Sequence, residues 1–453
     1  RSGPPGAARG GWSWYAAELI VPPPLATSAP PAWTYGSSAS LALEIQASDS
    51  VLRLELPSRV LLRDPGARAV ALLDDDPSGT GRTDGTVVGR TAPDGTYFLF
   101  LPDGTRAGTG RRIGDFVELR LARDLSVWAA ADEVHPLPAG TPAPASRAPV
   151  VRTRRRGDWT RVTVPLAEAL PVQVRQEVDP VRYEVTIFGA RAATEFMRTD
   201  FGDPLVRDLR WNQPTNDRFV LDVELDQRQP WGYRYGYEGT DFYLDVRHAP
   251  ELRTGLFRSI LKGLRIVVDP GHSPDSGATG PTGFLEKDAN LAVALELARQ
   301  LRDKGAEVIL TRSGEAPEGF SLNDRTNLAA RERADLLVSV HHNALPDGVN
   351  PFQNNGSSTY YYHPQSLPLA RAIQAELLKE LALPDFGVAF GNLALVRPTG
   401  MPAVLSEAAF MMIPEQEELV RTEAFRKREA KAIRKGIERF LNEAKTANQA
   451  GSR

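Results

Sequence analysis

The spacing of hydrophobic residues changes along this chain, and the changes divide it. From Leu41 to Leu73 the runs SLALEIQ, VLRLELP and RVLLRD alternate or cluster apolar residues over strand lengths, parted by short polar turns. Thr86-Val87-Val88-Gly89, Thr96-Tyr97-Phe98-Leu99-Phe100-Leu101, Phe116-Val117-Glu118-Leu119 and Val127-Trp128 continue in the same style, with a turn at Pro102-Asp103-Gly104-Thr105. These predict short strands closing into a tiny barrel. A Pro/Ala-rich stretch follows at 136–149, whose composition favours extended, unpacked chain. Strands resume at 182–189, 218–225 and 242–246 with clean alternation, so that one face packs and the other is wet, as in an antiparallel sandwich.

From about Lys262 the period alternates between strand and helix, the mark of an α/β domain. Residues 266–268 predict a short buried strand, and 290–304 a helix with Leu291, Leu295, Ala298 and Leu301 on one face, ended by Gly305. Then come a strand at 308–310, a helix at 323–333, strands at 336–340 and 358–362, a helix at 368–381, a strand at 403–405 and a closing helix at 421–443. Residues from Ala444 on read as a frayed tail. The fold class is therefore multidomain: N-terminal all-β modules, then an α/β domain with a mixed, mostly parallel sheet flanked by helices. The boundaries expected are 1–80 for a tail and small β domain, 81–135 for the barrel, 136–150 for the linker, 151–250 for the sandwich, 262–445 for the α/β domain and 446–453 for a tail.

Composition narrows the possible chemistry. The 453 residues carry 54 Lys plus Arg against 57 Asp plus Glu, so no global field points to nucleic acid or an anionic membrane surface. Cysteine is absent, which removes disulfides and thiol nucleophiles and leaves any metal site to His, Asp and Glu. No window holds the roughly 18 apolar residues of a membrane span. The chain starts Arg1-Ser2-Gly3 without an export signal, as a mature or trimmed form would.

Three strands of the α/β segment run into chemically loaded ends: Asp269-Pro270-Gly271-His272, His341-His342-Asn343 and Ser406-Glu407. Ligands of open α/β sheets bind beyond the carboxyl ends of the strands, so these stretches can converge there. Glu286 sits just before the first helix. Singly, each residue has an ordinary structural role. Together, two histidines and a carboxylate can supply the three-ligand set of a catalytic zinc site, with a second carboxylate free to move protons.

The segment from about Arg265 to Leu441 resembles the zinc-dependent N-acetylmuramoyl-L-alanine amidases. The motifs stand here as Asp269-Pro270-Gly271-His272, Glu286-Lys287, Ser339-Val340-His341-His342-Asn343 and Pro402-Ala403-Val404-Leu405-Ser406-Glu407, in order over about 180 residues. The resemblance implies one Zn2+ held by His272, Glu286 and His341, with Glu407 as the catalytic carboxylate. It implies hydrolysis of the amide between the lactyl group of N-acetylmuramic acid and the L-alanine of the peptidoglycan stem peptide. Glu407 is expected in a partly dry cleft that raises its pKa.

His342 occupies a position that the family usually fills with a small residue. Strand alternation lets only one of the adjacent histidines face the site, so His341 is read as the ligand and His342 as a surface or substrate-cleft neighbour, although the inverse stays open. Asn343, Arg325 and Arg397 are further candidates for substrate contact, the arginines having an ordinary ion pair as the plainer reading. His363 is expected to cap an aromatic strand. The Gly-rich 276–283 lacks the ending of a phosphate loop and reads as a flexible loop that brings Glu286 to the metal. The stretches 312–322 and 344–357 are short, so no inhibitory helix is expected to plug the site.

In the β half, the order of strands over 84–134 resembles a bacterial SH3-like domain, and 159–248 resembles the AMIN type of β domain that sits ahead of amidases and helps to localise them. The expected partners are peptidoglycan and an envelope protein regulator acting through the β domains, with no nucleic acid. The expected location is exported, in the cell envelope or periplasm, with a role in wall remodelling or daughter-cell separation. Two other readings remain at this point: a cell-wall-binding protein with a silent amidase domain, and a zinc peptidase on the same fold.

Overall fold

The structure, a computed structural model, describes residues 39–47, 50–58, 69–79, 83–200, 202–252, 255, 259–345 and 348–451. The proposed leading tail and the run RVLLRD lie outside the described residues. Ala39–Ala47 and Ser50–Ser58 form an antiparallel hairpin in which Leu41 pairs with Leu56 and Leu43 with Leu54.

Seven antiparallel strands between Val70 and Pro136 enclose a small core that includes Leu73, Val87, Leu101, Leu119 and Val127. Val70–Leu73, which the hydrophobic pattern groups with the preceding unit, pairs here with Arg106–Ile113 and Val134–Pro136. The Pro/Ala stretch is shorter than its composition predicts, because Ser146–Arg156 is already a strand whose Ala148 and Val151 are fully buried. Gly157, at φ +62°, turns that strand into Trp159–Val164. The five-stranded sheet they join packs on a four-stranded antiparallel sheet over a shared core including Val162, Tyr183, Leu221 and Phe242. One pair in this sandwich, Ser146–Arg156 with Ala190–Arg198, is parallel.

The α/β domain supplies the elements named hereafter: β1 (Arg265–Pro270), α1 (Glu286–Asp303), β2 (Glu307–Leu310), α2 (Leu322–Arg331), β3 (Leu336–Asn343), β4 (Ser357–Tyr361), α3 (Leu367–Leu381), β5 (Asp385–Phe390), β6 (Ala403–Phe410), α4 (Pro414–Arg421) and α5 (Glu423–Gly451). The sheet order is β2-β1-β3-β6-β4-β5. All neighbours are parallel except β4 and β6. Val268, Val338 and Val340 bury one face of the sheet with α1, α3 and α5, while Val267 and Leu337 meet Ala329 of α2 and Ala403 in a second cluster.

Several elements of the α/β domain differ from their sequence expectation; helix α4 has no counterpart in it, and β6 runs on to Phe410. Helix α1 begins at Glu286, because its first turn buries a carboxylate and leaves no apolar signal there. Edge strand β5, half exposed along its length, shows no clean alternation. The expected tail from Ala444 is helical, since Ala444 is still buried and Asn448 Oδ1 accepts from the backbone N–H of Arg228 and Gln229.

The sandwich docks on the end of the sheet where the central strands β3 and β6 begin. Arg247 reaches Asp335 at 2.7 Å, Tyr233 N donates to Thr399 O, and Trp231 packs on Phe440 of α5 with ring centres 5.5 Å apart. A Cβ on Gly232 would come within 2.3 Å of Gly400 O, so the approach requires glycine. Barrel, sandwich and α/β domain together line a cavity of about 940 Å³ at this end, among Phe100, Trp159, Tyr235, Tyr362 and Arg397.

Candidate metal centre and active site

The turn after β1 is built on a buried carboxylate. Asp269, fully buried, accepts from Ser339 Oγ at 2.6 Å, Thr311 Oγ1 at 2.5 Å and Arg325 Nη1 at 2.9 Å. Burial alone would raise its pKa, but the Arg325 charge and these donors hold it below the usual carboxylate range. Arg325 also donates to the carbonyls of Pro270, His272 and Ser273, and Arg312 to those of Pro270, Gly271 and Lys287. Two guanidinium groups thus hold a segment in which His272 (φ +64°) and Ser273 (φ +70°) occupy the left-handed region.

This turn aims His272 at Glu286 and His341. His272 Nε2 lies 3.0 Å from Glu286 Oε2, and His341 Nδ1 lies 3.0 Å from Glu286 Oε1. One ligand atom from each of the three residues falls within 4.8 Å of the others. Glu286 also accepts from the backbone N–H of Ala278 (2.8 Å) and His342 (3.2 Å) and from Asn290 Nδ2 (3.1 Å). Burial alone would raise the Glu286 pKa; the two imidazoles outweigh it and keep the carboxylate charged. There is no room to spare: a Cβ on Gly271 would come within 2.2 Å of the His341 ring, and one on Gly277 within 2.5 Å of Glu286 Oε2 and of the His272 ring.

These residues fit a zinc ion. Two imidazole nitrogens and one carboxylate oxygen form a three-ligand set that leaves a fourth position for water or substrate. His272 Nδ1 lies 2.5 Å from Asp275 Oδ1, the carboxylate partner that leaves Nε2 free to face a metal.

Glu407 lies on β6 opposite His341 on β3. Its Oε2 is shielded from solvent and has no hydrogen-bond partner among the described residues. Burial first, then the charges of Glu286 and Glu429, push its pKa well up. Asn343, two residues beyond His341 and so on the same side of β3, has a shielded Nδ2 without a partner.

The other candidates are placed elsewhere. His342 does not reach a cleft: it is 1% exposed, on the opposite face of β3 from His341, between Asn290 and Glu429. Period-two geometry separates the two histidines, and the solvent expected beside His342 is replaced by α1 and α5. Arg325 is buried in its pair with Asp269 and shapes the His272 turn from behind, so substrate contact is corrected to a structural role. Arg397 precedes β6 at the opposite end of the sheet from this cluster, donating to Asn392 Oδ1 with its guanidinium 5.3 Å from the Tyr97 ring centre. His363 Nε2 donates to Arg397 O at 2.7 Å in the junction with the sandwich. The Gly-rich loop is pinned rather than flexible, since Glu417 accepts from Thr282 N and Oγ1 and Glu286 N donates to Ala278 O.

Sequence reasoning passed over Asp275, Asn290, Arg312, Glu417 and Glu429. The spacing of Asp275 three residues after His272 was a usable signal. Nothing local marks Glu429, which lies 87 residues from the histidine it meets.

An α/β domain whose parallel strands bring two imidazoles to a carboxylate at a helix start, with a second carboxylate on the neighbouring strand, has the make-up of a metal-assisted hydrolase. Residues 266–439 match the family model described as N-acetylmuramoyl-L-alanine amidase. The chain is 37% identical over 209 residues to N-acetylmuramoyl-L-alanine amidase LytC of Bacillus subtilis (strain 168), covering 44% of this chain and 41% of LytC. It is 32% identical over 188 residues to the uncharacterized protein YqiI of the same strain, covering 40% of this chain and 87% of YqiI. Among solved structures, the catalytic domain of CwlV, an N-acetylmuramoyl-L-alanine amidase from Bacillus (Paenibacillus) polymyxa var. colistinus, is 33% identical, covering 40% of this chain and 98% of that one, with a TM-score of 0.37. Residues 266–439 thus form an N-acetylmuramoyl-L-alanine amidase domain. The chain spans less than half the length of LytC.

Proposed function

We propose that the chain is a zinc-dependent amidase that hydrolyses the bond between the lactyl group of N-acetylmuramic acid and the L-alanine of the peptidoglycan stem peptide. The observation that carries this reading is the convergence of His272, Glu286 and His341, with Glu407 across the strand pair. The relatives' names support the substrate.

His272, Glu286 and His341 would hold one zinc ion, which when bound supplies Lewis acidity toward a carbonyl oxygen and a lowered pKa for water. Asp275 fixes the His272 ring, and the donors around Glu286 fix its carboxylate. Glu407 does the proton work at its free Oε2, taking a proton from the attacking water and returning it to the departing amide nitrogen. Its raised pKa suits a group that must hold that proton between the two transfers. Asn343 Nδ2, shielded and unpartnered, is a donor available to a substrate carbonyl.

The barrel and sandwich are read as SH3-like and AMIN-like modules that tether the enzyme to the wall and raise its local concentration there. The chain accordingly works outside the cytoplasmic membrane, in wall remodelling or daughter-cell separation. Among the described residues no helix is long and apolar enough to cross a membrane.

The test is mass spectrometry of a purified muropeptide incubated with the full chain, zinc-loaded and after chelation. Zinc-dependent release of free stem peptide with the sugar intact is expected. No cleavage by a chain with zinc shown to be bound would overturn the reading.

A further inference from the structure

Behind Glu286 runs a buried chain of polar side chains that ends on the last helix. Asn290 Nδ2, one turn along α1, donates to Glu286 Oε1 at 3.1 Å. Asn290 Oδ1 lies 2.8 Å from His342 Nδ1, and His342 Nε2 lies 3.1 Å from Glu429 Oε2 on α5. Asn290, His342 and Glu429 are 0%, 1% and 0% exposed, so water cannot stand in for any of them.

The direction of the chain follows from its donors. Asn290 Nδ2 is directed at Glu286 and, at 3.4 Å, at Gly271 O, so its Oδ1 receives the proton of His342 Nδ1. Turned over, the same amide would set its oxygen against the Glu286 carboxylate, acceptor against acceptor. His342 prevents that turn, and Glu429 prevents His342 from leaving. A small residue at position 342 would strip both Asn290 Oδ1 and Glu429 Oε2 of a partner, so the three side chains form one unit.

We infer that His342 and Glu429 are positioning residues, which lock the Asn290 amide as a donor to Glu286 and so fix that carboxylate toward His272 and His341. The inference rests on the reading of Glu286 as a zinc ligand. Elsewhere on its buried face α5 uses Ala430, Ile433, Ile437 and Phe440. A buried carboxylate with an imidazole is more costly than such residues, and the donor chain gives that cost a use.

The test uses the full chain and reads metal binding rather than turnover. Zinc affinity is measured by competition with a chromophoric chelator, and ligand geometry by the visible spectrum of the Co2+-loaded protein. Asn290→Ala is expected to weaken zinc binding about 10- to 100-fold and to shift the cobalt bands. Because His342→Leu alone strands a buried carboxylate, it is combined with Glu429→Met, which fills both places with apolar side chains, and circular dichroism reports the fold. The folded double variant should show the same direction of affinity loss and band shift as Asn290→Ala. Wild-type affinity and spectrum in both variants would overturn the positioning role and leave the zinc reading standing. A wild-type chain that binds neither zinc nor cobalt would overturn the zinc reading, and the positioning role with it.

Discussion

His341 and Glu407 stand opposite each other as register partners on the adjacent parallel strands β3 and β6. Backbone pairing therefore sets the spacing between the histidine proposed as a metal ligand and the carboxylate proposed to move protons, and no loop needs to close to bring them together. Glu407→Gln keeps the shape and removes the proton acceptor. Muropeptide cleavage should fall about 10²- to 10⁴-fold while bound zinc, measured by elemental analysis, is unchanged. Full activity in this variant would remove Glu407 from the proton transfers.

Gly271 lies against the ring of His341, where an added methyl group would approach to 2.2 Å. Gly271 has an ordinary backbone conformation, so Gly271→Ala acts by pushing the imidazole. Zinc affinity should fall by roughly tenfold or more, with little change in melting temperature. Unaltered affinity in chelator competition would show that the ring has room to move.

Arg325 and Asp269 form an ion pair in which neither side chain is more than 3% exposed. Arg325→Met leaves the carboxylate uncompensated and should cost about 3 to 5 kcal/mol in denaturant unfolding. Asp269→Asn in the same chain removes the stranded charge and should restore part of that loss. A single variant as stable as wild type would contradict the account of the His272 turn.

His363, at the junction with the sandwich, has its pKa pushed down to about 4 by burial, against about 6.5 in an unfolded chain. The unfolded chain binds the extra proton between these values, so stability falls as pH drops from about 6.5 and levels off near 4. Denaturant titrations across that window should show a shallower decline in His363→Gln. Identical slopes would place the wild-type pH dependence on other groups.

The residues that come together at the candidate site are legible in the sequence because each stands at the end of a strand or the start of a helix, where motif and local structure coincide. His272, Glu286, His341 and Glu407 could be read in that way. The supports could not. Glu429 looks like one more charge on a helix rich in Glu, Lys and Arg, and only tertiary packing shows that it is buried. His342 misled in the opposite direction: alternation correctly separates it from His341, but period two does not say whether the other face meets water or a helix. Arg397 was drawn toward the site by likeness alone, while the topology puts it at the start of β6 and the site beyond His341 and Glu407. At the carboxyl end, the lack of large apolar residues after Ala444 hid a final stretch of helix held by polar contacts to 228–229.

Helix α5 serves two domains at once: Phe440 and Asn448 belong as much to the sandwich as to the sheet that the helix covers. The enzyme domain is consequently not a cassette that can be lifted out at Lys262. Cutting there would bare the surface under Trp231 and unlatch the last turns of the helix, so a transplant must carry residues 228–233 or recoat Phe440 with a polar side chain.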